Sequence, residues 1–186
     1  MHLRFNARLA AIGLSAALSA AAFPAFAQVT VGGAPMLASK DIIDNAVNSK
    51  DHTTLVAAVK AAGLVDTLKS AGPFTVFAPT NAAFGALPAG TVDTLLKPEN
   101  KPTLTKVLTY HVVAGKYDAA ALTKLIADGK GMASLKTVAG GTLTAKASGN
   151  AVMVMDEKGG TATVTIADVY QSNGVIHVVD KVLLPN

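Results

Sequence analysis

The sequence contains no cysteine and no tryptophan in its 186 residues. Without cysteine the protein can form no disulfide bond, no thiolate nucleophile and no cysteine metal site. If the chain works outside the cytoplasm, its fold must therefore be held together by packing and hydrogen bonds alone.

Arginine is almost absent as well, because Arg4 and Arg8 are the only two copies. Since lysine and arginine total 16, the rest of the chain carries 14 lysines against 12 acidic residues, without a basic run. This pattern predicts no nucleic-acid partner. Tight protein interfaces rely on Trp, Tyr and Arg, so we expect an unknown protein or surface polymer to be held weakly or through several copies.

Residues 1–27 are typical of a secretory signal peptide. Both arginines precede the uncharged apolar run LAAIGLSAALSAAA, and Ala25, Phe26 and Ala27 match the small-x-small cleavage rule. The alternative is retention as a membrane anchor, but the run is shorter than the roughly 20 residues that a spanning helix needs. We therefore expect cleavage after Ala27, export to the periplasm, cell surface or medium, and no integral membrane span afterwards.

The remaining chain is long enough for one domain with a sizeable core. Residues 28–38 are expected to be a flexible lead-in, because Gly32, Gly33 and Pro35 argue against a regular element. The domain proper is predicted to cover residues 39–186.

Hydrophobic periodicity divides this domain into a helical half and a strand half. Up to Gly129, most apolar residues recur at helical spacing, with one strand predicted over Phe74–Phe77. After Gly131, β-branched runs repeat about every ten residues between glycine-containing turns, which is typical of antiparallel strands. The predicted fold class is α+β, a β-sandwich with a cluster of helices from the N-terminal half.

Three motifs occur in a characteristic order: GPFTVFAPTNAAF at 72–84, YHVV at 110–113 and NGVIHVVDKVLLP at 173–185. In these motifs the chain resembles the fasciclin domain family, over about residues 40–185. The resemblance implies a wedge-shaped sandwich with helices on one side. It also implies a protein that is not an enzyme and serves cell adhesion, biofilm or extracellular matrix contact, or host-surface contact. With the signal peptide, the chain looks like the small secreted bacterial members, and the bacterial assignment rests on its short length and missing disulfides.

The sequence departs from the family pattern at two points. Ala82 stands where many members have glutamate, so a carboxylate that would favour the start of a helix is missing. No Arg-Gly-Asp motif can exist after Arg8, so integrin binding does not carry over from animal members.

Tyr110 and His111 match the pair that the family links to adhesion, which makes them candidates for partner binding. The favoured interpretation is structural, because His111 follows an apolar helix face and precedes Val112 and Val113. A neutral histidine in that position would be buried and hydrogen-bonded.

Five other motif residues are expected to be structural. Thr80 and Asn81 follow a strand, where such a pair caps a helix or bonds a neighbouring strand more often than it binds a ligand. Asn173 precedes the last strand. Alternation along that strand places His177 and Asp180 on opposite faces, which excludes an acid–base pair. Asp180 is expected on the core side with a protein partner, and His177 on the wetter face.

Met153 and Met155 lie on the same face of a predicted strand. Such a stripe more often fills a core, but adaptable methionines also suit apolar ligands. The alternative function is therefore carriage of a small apolar ligand such as a carotenoid, which some fasciclin-like proteins bind, or a lipid-like molecule.

Motifs for catalysis are missing. The sequence has no G-x-S-x-G element and no phosphate-binding loop. His52, His111 and His177 lack the spacing of metal ligands on a helix. We expect no catalytic residue, no metal site and no cofactor.

Overall fold

The computed structural model describes residues 28–186, so the predicted signal peptide at residues 1–27 lies outside the described residues. The helices are α1 Ile42–Ala46, α2 Thr53–Ala62, α3 Val65–Lys69, α4 Asn81–Gly85, α5 Thr91–Leu96, α6 Lys101–Tyr110 and α7 Ala119–Asp128. The strands are β1 Thr30–Val31, β2 Ala34–Pro35, β3 Phe74–Pro79, β4 Val112–Ala114, β5 Met132–Lys136, β6 Thr142–Ser148, β7 Ala151–Met155, β8 Thr161–Gln171 and β9 Gly174–Val179.

Local sequence signals set several helix ends. Thr80 accepts a hydrogen bond from the backbone N–H of Ala83 at the start of α4, as an N-cap residue does. Asp118 caps α7 in the same way. Helix α2 stops at Gly63, whose φ of 73° lies in the left-handed region that glycine adopts without strain.

Seven strands form one curled sheet in the order β4-β3-β9-β8-β7-β6-β5. The sheet nearly closes on itself, because an antiparallel bridge joins Val113, in β4, to Thr137, just after β5. Strands β3 and β9 pair in parallel, whereas the other neighbours in the sheet are antiparallel. The α+β prediction is confirmed, and the parallel pair is a feature that hairpin spacing did not predict.

Strands β3 and β9 are covered on both faces, and this creates two cores. The helix-side core lies between the sheet and the N-terminal helices and includes Leu55, Val59, Val76, Leu108, Ile176 and Val178. The strand-side core lies inside the curled sheet, where α7 packs, and includes Phe77, Tyr110, Leu122, Leu143, Val154 and Val179. Each fully buried aliphatic side chain stabilises the fold by about 1.5–3 kcal/mol.

The prediction that residues 28–38 contain no regular element is wrong. Strands β1 and β2 form an antiparallel hairpin across Gly32 and Gly33, whose φ angles of 58° and 77° suit a tight two-residue turn. Val31 and Met36 are only 3% and 6% exposed and belong to the helix-side core. Val31 and Met36 therefore anchor a hairpin where the glycines and the proline predicted no regular element.

Candidate functional site

The Tyr110–His111 pair at the end of α6 faces the interior. Tyr110 is 0% exposed and His111 is 2% exposed, so neither side chain is available at the surface of the folded protein. The Tyr110 hydroxyl donates to the carbonyl of Thr142 over 2.9 Å and accepts from the backbone N–H of Glu157 over 3.1 Å. Tyr110 thus ties α6 to the start of β6 and to the turn after β7.

His111 joins α6 to the C-terminal segment. Its Nδ1 donates to the carbonyl of Val107 over 2.8 Å, and its Nε2 accepts from the backbone N–H of Leu183 over 2.9 Å. This pattern requires a neutral imidazole with the proton on Nδ1. Burial penalises the charged form and lowers the pKa of His111 to about 4.

His177 is fully buried, so the prediction that it lies on the wetter face is wrong. Its Nε2 donates to the carbonyl of Tyr117 over 2.7 Å, and its Nδ1 accepts a longer bond of 3.4 Å from the backbone N–H of Asp168. The ring also stacks on Phe77 at a centroid distance of 5.6 Å. The simple alternation argument failed because β9 is a central strand with no solvent-facing side.

Asp180 is exposed, so its predicted position on the core side is also wrong. Strand β9 ends at Val179, and Asp180 follows it immediately. Its carboxylate accepts from the backbone N–H of Thr163 over 2.7 Å, while its own N–H donates to the Thr163 carbonyl over 3.2 Å. The partner of Asp180 is therefore backbone of β8, which it binds where the chain leaves the sheet.

Asn81 connects two helices. Its Oδ1 accepts from the backbone N–H of Thr54 over 3.0 Å and from the Thr53 hydroxyl over 3.2 Å, and its Nδ2 donates to the carbonyl of Lys50 over 2.8 Å. These contacts supply the missing cap at the start of α2, whose own N-cap residue, His52, makes no side-chain capping bond.

Asn173 fastens the helical layer to the turn between β8 and β9. It is 8% exposed. Its Nδ2 donates to the carbonyls of Leu68 over 2.6 Å and Ser70 over 3.0 Å, and its Oδ1 accepts from the backbone N–H of Ile42 over 3.1 Å. One short side chain thus joins α1 and the end of α3 to the sheet.

Met153 and Met155 do share one face of β7, but they are only half-buried and do not belong to either core. The prediction that they fill a core is wrong. Val154 between them is 0% exposed and packs into the strand-side core. The N-terminal helices cover β3 and β9, so the outer side of β7 remains accessible.

The two methionines belong to what we call the outward sheet face, which the sequence analysis missed. It consists of Met132, Ser134, Lys136, Thr142, Thr144, Lys146, Met153, Met155, Thr161 and Thr163. The alternation of Ala133 and Leu135 with Ser134 and Lys136 in β5 was the available sequence signal. Strand segments 132–136, 142–148, 151–155 and 161–165 contain two lysines and no acidic residue.

The described residues offer no arrangement for metal chemistry. Between residues 28 and 186, no three His, Asp or Glu side chains come close enough together to hold a metal ion. In the same part of the chain, no helix combines the length and apolar character that crossing a membrane requires.

Known proteins resemble this structure in both sequence and fold. The model of the fasciclin domain matches residues 50–185. The chain belongs to the fasciclin domain family. Protein sll1483 of Synechocystis sp. is 52% identical over 144 residues, which cover 77% of this chain and 73% of that protein. Immunogenic protein MPB70 of Mycobacterium bovis is 39% identical over 145 residues, which cover 75% of this chain and 66% of that protein.

Solved structures show the same fasciclin fold. A domain pair from the insect cell adhesion molecule Fasciclin I matches with a TM-score of 0.68 at 18% identity, covering 78% of this chain and 51% of that one. At this identity the match shows the fold alone. The predicted family and fold are confirmed.

Proposed function

We propose that this fasciclin domain is exported and acts as a non-catalytic interaction module that contacts a negatively charged polymer of a cell surface or matrix. Membership of the fasciclin domain family supports the class of function. The signal-peptide pattern of residues 1–27 supports export.

The outward sheet face is the observation that carries this proposal. Its residues are exposed or half-buried, and Lys136 and Lys146 lie on strand segments that contain no acidic residue. The carboxylates of Glu157 and Asp180 accept from the backbone N–H groups of Thr142 and Thr163, two residues of this face. Its hydroxyl groups, on Ser134 and the threonines, can bond to a polar polymer. The lysines would attract an anionic chain, and salt would screen that attraction.

This contact is expected to be weak for each domain. The face contains no aromatic residue and no arginine, the residue types that dominate tight interfaces. Exposed ion pairs contribute at most about 1 kcal/mol each. Useful adhesion would therefore require several domains acting on one polymer.

We propose further that Tyr110 and His111 support adhesion only by holding the fold. Both side chains are buried and fully hydrogen-bonded inside the protein. Carriage of an extended carotenoid by Met153 and Met155 is not favoured, because neither side chain lines the cavity of about 60 Å³ in the helix-side core or the more open pocket of about 470 Å³ beside Gln28, Leu37 and Tyr170.

A binding assay with lysine variants tests whether the outward sheet face binds an anionic polymer. The double variant Lys136→Gln/Lys146→Gln should bind immobilised alginate, an anionic polysaccharide, about tenfold more weakly than wild type at low salt. Its matched control, Lys60→Gln/Lys101→Gln, removes two exposed lysines from the helical side and should bind as wild type does. Equal losses in both variants, or equal binding of neutral dextran, would contradict the proposed face.

Export is tested separately by cell fractionation of the native host. We expect the protein outside the cytoplasm, with Gln28 as its first residue by mass spectrometry. A full-length chain retained in the cytoplasm would contradict this part of the proposal.

A further inference from the structure

Three of the four methionines between residues 28 and 186 lie together on the outward sheet face. Met132 is on β5, and Met153 and Met155 are on β7. The fourth, Met36, belongs to the helix-side core. Since the sequence contains no cysteine, these four thioethers hold the only sulfur atoms in this part of the chain. Their oxidation to sulfoxide is a reversible modification that turns a flexible apolar side chain into a polar one.

Lys146 lies in the middle of the three methionines of this face. The strand register places it directly opposite Met132 on one side and Met153 on the other. Its ammonium nitrogen, Nζ, is 4.0 Å from Sδ of Met155. A thioether sulfur is a weak hydrogen-bond acceptor, whereas the ammonium group has three hydrogens to donate. The contact with Met155 therefore uses little of the hydrogen-bonding capacity of Lys146.

The methionines of the face differ from Met36 in their access to solvent. Met132 is 51% exposed, and Met153 and Met155 are half-buried and belong to neither core. Met36 is only 6% exposed. Because oxidation follows exposure, a peroxide in solution reaches the three sulfurs of the face in the folded protein and reaches Met36 only when the fold opens.

Peroxide converts a thioether into a sulfoxide in one two-electron step. The sulfur gives an electron pair to one peroxide oxygen, so an S–O bond forms and the O–O bond breaks. The second oxygen takes up the proton of the transferred oxygen and leaves as water, or as an alcohol if the peroxide is organic. The sulfur is oxidised and the peroxide is reduced, and the new oxygen is a much stronger hydrogen-bond acceptor than the sulfur was.

We propose that Met155 is a peroxide-sensitive modification site, whose sulfoxide oxygen binds the ammonium group of Lys146 and so weakens the contact of the outward sheet face with an anionic polymer. The sulfur is 4.0 Å from Nζ, so an oxygen added on that side comes within hydrogen-bond distance of the ammonium group with little movement of either side chain. The bonded ammonium then offers fewer hydrogens to a polymer carboxylate. The modification does not depend on the proposed function, whereas its effect on binding rests on that function.

Hydrogen peroxide and immobilised alginate test the effect on binding. After oxidation, wild type should bind alginate at low salt about threefold more weakly than before. In Met155→Leu the affinity should be the same before and after peroxide, whatever its starting value. Met132→Leu is the matched control, because it removes one sulfur from the same face and should keep the threefold loss. Methionine sulfoxide reductases specific for the two epimers should together restore the affinity of oxidised wild type.

Two further readouts do not require a polymer. Peptide mapping by mass spectrometry should find Met132, Met153 and Met155 oxidised in the folded protein while Met36 remains a thioether. NMR should show that oxidation shifts the ¹⁵N resonance of Lys146 Nζ in wild type and in Met132→Leu. The same resonance should stay nearly unchanged in Met155→Leu.

Three results would overturn the proposal. The first is oxidation of Met36 as fast as that of Met155 in protein that remains folded. The second is a Lys146 Nζ resonance that does not respond to the sulfoxide at Met155. The third is an alginate affinity that oxidation leaves unchanged, in protein that binds alginate beforehand. If unoxidised wild type does not bind alginate at all, the proposed surface function fails, and the Lys146 resonance alone decides whether the modification site exists.

Discussion

The two cores on either face of β3 and β9 differ in how completely they are filled. On the strand side and at the junction of the two cores, Tyr110, His111 and His177 use their hydroxyl group or both ring nitrogens in hydrogen bonds. On the helix side, a cavity of about 60 Å³ stays open beside His52. Polar residues in the motifs therefore hold separate parts of the fold together by hydrogen bonds, whereas the open volume lies in the helix-side core.

Replacing His111 should give the largest effect, because it opens a hole and leaves two backbone groups unpaired. We expect His111→Ala to lower the free energy of unfolding by about 2–4 kcal/mol, measured by urea denaturation. The control Val47→Ala removes a side chain that is 48% exposed and should change stability by less than about 0.5 kcal/mol. Normal stability of His111→Ala together with lost surface binding would show instead that the histidine acts by contact.

Acid should weaken the same region. The pKa of His111 is about 4 in the folded protein against 6.5 ordinarily, so the unfolded chain binds more protons between these values. The free energy of unfolding should therefore fall as pH drops from 6.5 towards 4. The total loss from His111 should be about 3 kcal/mol once the pH lies below both pKa values. Burial also lowers the pKa values of His52 and His177, which adds loss in the same direction.

The control for this acid effect is His111→Gln, whose amide can replace both hydrogen bonds without titrating. Its stability should fall less than that of wild type between pH 7 and pH 5. Identical pH profiles for the two proteins would mean that His111 is not the group held neutral by burial.

Asn173 and Asn81 both hold helices in place by side-chain hydrogen bonds, Asn173 at a buried position and Asn81 nearer the surface. Replacing each in turn compares these two positions. Asn173→Ala should destabilise by about 2–3 kcal/mol, because the backbone groups of Ile42, Leu68 and Ser70 lose a partner. Asn81→Ala removes a helix cap nearer the surface and should destabilise by about 1 kcal/mol. The order of the two thermal midpoints checks this, and the reverse order would be inconsistent with the burial of Asn173.

Adding one methyl group to the strand-side core and one to the helix-side core tests directly whether the two cores differ in how completely they are packed. Val154→Ile overfills the strand-side core, where Val154 is 0% exposed, and should destabilise by about 1–3 kcal/mol. Val59 lines the cavity. Val59→Ile should therefore leave the free energy of unfolding unchanged or raise it by less than about 1 kcal/mol. Equal changes in the two free energies of unfolding would remove the contrast between the cores.

Local signals in the sequence predicted much of the fold. The cap at Thr80 depends on a few adjacent residues, so its pattern marks the start of α4 correctly. The parallel pairing of β3 with β9 joins segments about one hundred residues apart, so the spacing of apolar residues along the chain does not predict it.

The candidate site was predicted less well, because burial depends on what packs over each strand. Alternation assumes one wet face, and it misplaced His177 since β9 has none. It misjudged Met153 and Met155 because the helices cover only one part of the sheet. The burial of His52 carried no signal in the sequence, since the residues packed around it come from distant parts of the chain.

Chemical modification tests most directly whether the Tyr110–His111 pair works from inside the fold. Diethyl pyrocarbonate reacts with accessible neutral imidazole, and mass spectrometry locates the product. Near neutral pH and under native conditions, His111 should react only as fast as the protein unfolds, as should the fully buried His177. Rapid modification of His111 in protein that remains folded would contradict this and make the pair a candidate contact surface again.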